Sequence, residues 1–165
     1  MKVVDLFCGA GGFSEGFRQA GFDIVAAVDN NSQALTSHQI NHPETNHYEL
    51  DIATEDLSFL ANYKPDVIIG SPPCTNFSRA NNLNSDPSKG MELVDKFLDF
   101  VRLVKPKYWV SENVVQVRPH IRKHGFNGYK LNSVDFGVPQ KRERYFFGEF
   151  IRPRATHQAI PMIAL

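Results

Sequence analysis

The sequence holds no apolar run that approaches membrane-spanning length, and its start, Met1-Lys2-Val3-Val4-Asp5, is too short and too acidic for a signal peptide. A membrane or exported protein is therefore not expected. Cysteine is scarce. Cys8 and Cys74 lie far apart and lack metal-ligand spacing, so no metal is expected, and the setting reads as reducing and intracellular. Net charge is also missing, at +0, yet the charges are segregated. Residues 1–101 carry 6 Lys and Arg against 14 Asp and Glu, whereas residues 102–165 carry 12 against 4, giving −8 and +8. A basic third is compatible with a polyanion on one side of the molecule, although a solvated basic face has the same composition. There is no internal repeat and no low-complexity segment. What remains is 165 residues, 42% hydrophobic, read as one globular domain able to bury most of a core.

The patterning alternates short apolar runs with helical spacing. Residues 2–7, KVVDLF, predict a strand; CGAGG follows at 8–12, and then a helix stopped by Gly21. Strand, glycine turn and helix form the first half of a nucleotide-binding unit, although the turn is not GxGxxG. DIVAAV over 23–28 predicts a second strand ending in Asp29, an acid that suits ribose hydroxyls or the cap of a helix over 31–41, a cap that Asn30, Asn31 or Ser32 would supply equally well. HYELDI over 47–52 predicts a third strand, and residues 54–62 a short helix that Thr54 caps. PDVII then runs into GSPPCTNFSRANN, where two prolines stop the fourth strand and put Cys74 on a stiffened loop at its carboxyl end. Residues 78–90 are polar and turn-rich, the composition of a lid. Residues 91–104 predict an amphipathic helix with Phe97, Phe100 and Leu103 in the core. YWVSENV over 108–114 predicts a fifth strand ending in Glu112-Asn113; YKLNSV (129–134) and RYFFGEF (144–150) predict a sixth and a seventh.

Parallel topology brings Asp29, Cys74 and Glu112 to one cleft. A cysteine with a carboxylate partner, beside a site for an adenosine-like ligand, points to covalent catalysis with proton transfer. Arg79, Arg142 and Arg144 supply the positive surroundings that lower a thiol pKa.

These motifs, in this order, resemble the cytosine carbon-5 DNA methyltransferases. DLFCGAGGFSEGF resembles the S-adenosylmethionine loop, SPPCTNFS the nucleophile loop, Glu112-Asn113-Val114 the ENV motif, and GVPQKRERYFFG the Gln-x-Arg-x-Arg motif. HQAIPMIAL weakly resembles the helix that closes the cofactor pocket. The resemblance implies an α/β fold, a doubly wound and mostly parallel seven-stranded Rossmann-like sheet in a single catalytic domain, 1–165. It implies Cys74, Glu112, Arg142 and Arg144 as catalytic residues. Phe7, Gly9, Gly11, Gly12, Asp29, Asn30, Asp51, Ile52 and Pro72 would hold S-adenosylmethionine and its product S-adenosylhomocysteine. Ser71, Pro73, Ser78, Asn113, Val114 and Gln140 would face the substrate, DNA.

Two departures stand out. Thr75 follows Cys74 where bacterial members commonly have Gln, and about seven residues stand where the family has a target-recognition region. The chain is then a minimal, phage-like enzyme of low specificity, the catalytic half of a split enzyme whose partner subunit supplies recognition, or a non-catalytic remnant that binds cofactor. RNA or a nucleotide as substrate stays open as well. Arg118, His120, Arg122, Lys123, Lys130, Arg152 and Arg154 are the candidates for phosphate contacts. A cytoplasmic location in a bacterial or phage-infected cell is expected.

Overall fold

The computed structural model describes residues 1–73 and 87–158. Cys74, Ser78 and Arg79, the 78–86 part of the polar loop and residues 159–165 of the apolar tail lie outside the described residues.

Seven strands form one sheet: β1 (Lys2–Leu6), β2 (Asp23–Asp29), β3 (Asn46–Glu49), β4 (Val67–Gly70), β5 (Tyr108–Asn113), β6 (Gly128–Asn132) and β7 (Glu143–Glu149). Their spatial order is β3-β2-β1-β4-β5-β7-β6. The first five run parallel to one another, and β7 is antiparallel to both β5 and β6. The chain winds outward from β1 through β3, then returns to the other side of β1 at β4. The doubly wound, mostly parallel sheet expected from the sequence is therefore present, and it has a topological switch point between β1 and β4, where such sheets bind ligands.

Alternation along the strands divides the core between the two faces. Val3 of β1 with Val67 and Ile69 of β4 meets Phe13 and Phe17 of α1 (Gly12–Gln19). Val4, Leu6 and Ile68 point the other way, onto Val94, Phe97, Leu98 and Val101 of α3 (Pro87–Val104) and Ile121 of α4 (Arg118–Lys123). Removing the fully buried Phe97 ring would cost about 3–5 kcal/mol. The second helix, α2 (Ser32–Asn41), is capped by Asn31, whose side chain accepts from the Ala34 amide at 3.0 Å. That leaves Asp29 free of the capping role.

Several expectations are corrected. β3 stops at Glu49, because Asp51 turns the chain: its carbonyl accepts from both Thr54 and Glu55. The same turn displaces the helix expected over 54–62, and a 3₁₀ helix at Ser58–Tyr63 takes its place without a Thr54 cap. Helix α3 begins at Pro87, proline being well suited to a first turn, and absorbs the end of the expected loop. Phe97 and Phe100 are core, but Leu103 is 57% exposed. At about 100° per residue it falls on the side of the helix opposite Val94. Helix α4 was not expected. No helix among the described residues is long and apolar enough to cross a membrane.

Candidate active site

Four strand ends surround a cleft of about 280 Å³ at the carboxyl edge of the sheet. Phe7 and Gly9 enter from the turn after β1, Asp29 and Asn30 from the end of β2, and Leu50, Asp51 and Ile52 from the turn after β3. Ser71 and Pro73 enter from β4, and Leu93 of α3 closes one side. The cleft thus straddles the switch point.

The walls are held by the backbone. Phe7 has φ +59, a conformation a bulky side chain rarely adopts, and such strain persists only where its surroundings enforce it. Its carbonyl accepts from Ser71 Oγ at 3.1 Å, and the Ser71 amide donates to Leu6, so the β1 and β4 turns are tied together. Asp29 is the organising group: Oδ2 accepts from the Gly9 amide at 2.8 Å and Oδ1 from the Asn31 amide at 2.9 Å. Gly9 has φ +52, and a Cβ built there would project into open space, so the backbone leaves that part of the cleft clear.

The second half of the site lies across β5 and β7. Arg144 Nε is 2.9 Å from Glu112 Oε1, with side chains 25% and 23% exposed. Burial raises the Glu112 carboxyl above its usual range, while Arg144 and then Arg142 pull it back. A carboxyl in that balance can hold or release a proton at modest cost. Asn113 is buried. Its Nδ2 donates to the Pro72 carbonyl at 3.0 Å and its Oδ1 accepts from the Val114 amide at 2.9 Å. Arg142 is exposed, and its amide donates to Asn132 Oδ1. Gln140 is exposed, with its carbonyl accepting from Ser133 Oγ at 2.6 Å.

Of the residues expected to hold the cofactor, six line the cleft: Phe7, Gly9, Asp29, Asn30, Asp51 and Ile52. Gly11, Gly12 and Pro72 do not; they shape the turns beneath and beside it. Ser71 and Pro73, expected to face the substrate, also line this cleft. Leu50 and Leu93 were missed. Leu50 carried a signal, as the apolar neighbour of Asp51 at the end of a strand pattern; Leu93 did not, since only the fold brings it near. Among the expected phosphate contacts, Lys130 is paired with Glu143 at 2.8 Å and Arg152 lies 5.0 Å from the centre of the Tyr129 ring.

The profile of the C-5 cytosine-specific DNA methylases matches residues 1–154. The chain belongs to that family. Among its relatives, the chain is 37% identical over 183 residues to the type II methyltransferase M.DdeI of Desulfomicrobium norvegicum, covering 97% of this chain and 43% of that one. It is 40% identical to M.HgiDI of Herpetosiphon aurantiacus, covering 88% and 51%. The chain thus spans about half the length of these relatives. A solved prophage-encoded protein of E. coli, assigned as a DNA modification methyltransferase, superposes with a TM-score of 0.76 at 31% identity, over 90% of this chain and 46% of that one. S. pombe Dnmt2 shares the fold, with a TM-score of 0.66 at 24% identity over 96% and 50%.

The methyl donor of the family is S-adenosylmethionine. The cleft fits its adenosine half. An apolar wall from Phe7, Leu50 and Ile52 suits a flat ring, and Asp29, with lone pairs beyond its two backbone bonds, suits ribose hydroxyls.

Proposed function

We propose that this chain is the catalytic domain of a methyltransferase that acts on carbon 5 of cytosine in DNA, within the cytoplasm of a bacterial or phage-infected cell. One conjunction carries the reading. The cleft that suits the cofactor is lined by Pro73, Cys74 is the next residue in the sequence, and the Glu112–Arg144 pair stands on the strands beyond β4.

In this reading Cys74 is the nucleophile. Its sulfur bonds to carbon 6 of the cytosine, and Glu112 holds a proton at ring nitrogen 3, so the electron pair displaced toward the ring is stabilised. Arg144 fixes the Glu112 carboxyl, and Arg142 adds positive charge near the ring. S-adenosylmethionine, when bound, supplies an electrophilic methyl group to the carbon 5 so activated. Loss of the carbon 5 proton to a solvent base then re-forms the bond between carbons 5 and 6, expels the thiolate and restores the aromatic ring. Phe7, Asp29, Asn30, Asp51 and Ile52 hold the adenosine, and Gly9 leaves room for it. The target base is stacked inside a duplex, so it must be turned out of the helix at a cost of roughly a few kcal/mol.

The length comparison favours one extension. Relatives about twice as long have residues to spare for reading a DNA sequence. We take the present residues as the catalytic domain, with recognition supplied from outside them, by further chain or by a partner subunit.

Incubation with labelled S-adenosylmethionine and mixed-sequence DNA, alongside Cys74→Ser, tests the activity. Transfer by the wild type above the mutant is expected. Equal label in both, with a candidate partner present, refutes it. Trapping on oligomers containing 5-fluorocytosine, whose adduct cannot eliminate, separates DNA from RNA as substrate.

A further inference from the structure

Beneath the glycine turn, and outside the cleft, polar side chains from four elements form a continuous row. Asp5 of β1 has Oδ2 2.7 Å from Ser14 Oγ on α1. Ser14 Oγ is 3.1 Å from His38 Nε2 on α2, and His38 Nδ1 is 2.8 Å from His47 Nε2 on the edge strand β3. Asp5, Ser14 and His38 have no exposed surface, whereas His47 is half-buried. A Cβ on Gly11 would meet His38 and His42 at 3.0 Å, so the row lies directly against the turn that supplies Gly9 to the cleft. Among the described residues no group of three His, Cys, Asp or Glu is arranged to hold a metal ion. The row is a hydrogen-bonding system.

Counting hydrogens along it gives two complete arrangements that differ by one proton. In one, a neutral Asp5 donates to Ser14, Ser14 donates to His38 Nε2, and His38 Nδ1–H donates to His47 Nε2. In the other, every bond is reversed. His47, neutral but now carrying its proton on Nε2, donates to His38 Nδ1, His38 Nε2–H donates to Ser14, and Ser14 donates to an Asp5 carboxylate. In the first form the other ring nitrogen of His47 donates its N–H to the Thr45 backbone, and in the second that proton has left to solvent. One proton leaves at the half-buried sheet edge and one negative charge settles on the buried carboxyl, while His38 stays neutral throughout.

We propose that Asp5, Ser14, His38 and His47 are a proton-exchange row that sets the charge beneath the Gly9–Gly11 turn, and so act as positioning residues for it. Only the consequence for cofactor binding rests on the function proposed above. The titratable neighbours are Cys8 in the turn, Asp29 at the end of β2, Glu15 on α1 and His42 on α2. Energetics agree with a His38 that is never cationic in the row: burial lowers it to about 4, with His42 and His47 adding to the effect. Burial raises Asp5 to about 7, Ser14 opposing and Asp29 reinforcing, so the neutral arrangement prevails below that pH. Above it Asp5 gives up its proton, and Ser14 and His38 must both turn round to serve the carboxylate.

The observable is the tautomer of His38. Long-range proton–nitrogen NMR on the intact chain, from about pH 5 to about pH 9, is expected to show the His38 proton moving from Nδ1 to Nε2, with the Gly9 amide shift following the same midpoint. Asp5→Asn, which has nothing to titrate, is expected to abolish the move, and Ser14→Ala, which cuts the row, provides a second variant should the first not fold. An unmoved His38 proton in the wild type, or the same move in either variant, overturns the proposal. The experiment needs no cofactor, so a protein that failed to bind S-adenosylhomocysteine would still decide it.

Discussion

Arg144 Nε sits 2.9 Å from Glu112 Oε1, across the antiparallel join of β5 and β7. The ion pair therefore sits at the one place where the parallel half of the sheet meets a strand of opposite direction. Glu112→Gln keeps a hydrogen-bond acceptor for Arg144 but loses the charge and the proton. Methyl transfer is expected to fall by about 10²–10³-fold, with binding of S-adenosylhomocysteine unchanged, because Glu112 does not line the cofactor cleft. Arg144→Ala leaves a mostly buried carboxyl without its counter-charge. It is expected to cost about 1–3 kcal/mol in urea denaturation as well as activity, the pair being partly solvated.

Asp29→Ala strips the acceptor from the Gly9 and Asn31 amides at the same time. Calorimetric titration with S-adenosylhomocysteine is expected to show Kd raised by about 10–100-fold, equivalent to about 1.4 kcal/mol per factor of ten. An unchanged Kd would remove Asp29 from the binding site.

Gly11 and Gly12 are adjacent but not equivalent. Gly11 has φ +96 and abuts the His38 and His42 rings, while Gly12 begins α1 with open space where a Cβ would go. Gly11→Ala is expected to destabilise by about 1–3 kcal/mol and Gly12→Ala by less than about 1 kcal/mol, read from urea midpoints.

Acid and alkali act oppositely on two neighbours. Asp5 rises from 3.8 unfolded to about 7 folded, so its stabilisation is full below 3.8 and fades as pH climbs to 7. His38 falls from 6.5 to about 4, so its stabilisation is full above 6.5 and fades as pH drops to 4. Between pH 4 and 6.5 the two slopes offset each other. His38→Gln is expected to reveal a stability that declines with rising pH across this window, and Asp5→Asn one that declines with falling pH, each approaching about 1.4 kcal/mol per pH unit. Flat profiles in both variants would contradict the buried charges.

Cys8 is buried, and its thiol pKa is pushed well up by burial and then by the charges of Asp5 and Asp29. Alkylation of the native protein, followed by peptide mass spectrometry, is expected to label Cys74 and spare Cys8 until denaturant is added. Early labelling of Cys8 would contradict its burial.

The parts legible in the sequence are those in which local chemistry and tertiary packing agree. KVVDLF, the glycine turn and the helix after it were read within a residue or two, because alternation, φ requirements and helical spacing all point to one unit. The turn at Asp51 was not, since a side chain and carbonyl that collect three amides overrode a strand pattern running to Ile52. Leu103 failed for another reason: the apolar stripe of α3 is wide, and only the packed sheet shows which edge of it faces water. Asp5 carried an unused signal. A carboxylate within a strand otherwise buried needs a partner, and Ser14 is the next hydroxyl along the chain. Its link to two histidines up to 42 positions away is visible only once α2 is packed on β2 and β3.

The amide of Asn113 grips the carbonyl of Pro72. It works as a gauge between two limbs of the protein, because the next residue but one after that carbonyl is the sulfur-bearing one and the residue before the amide carries the acid. On the function proposed above, loosening this clamp would leave the sulfur and the acid present in the chain, yet disturb the tie between the ends of β4 and β5. A tie of this kind, set in the interior rather than at the surface, fixes how far apart two neighbouring strand ends can stand.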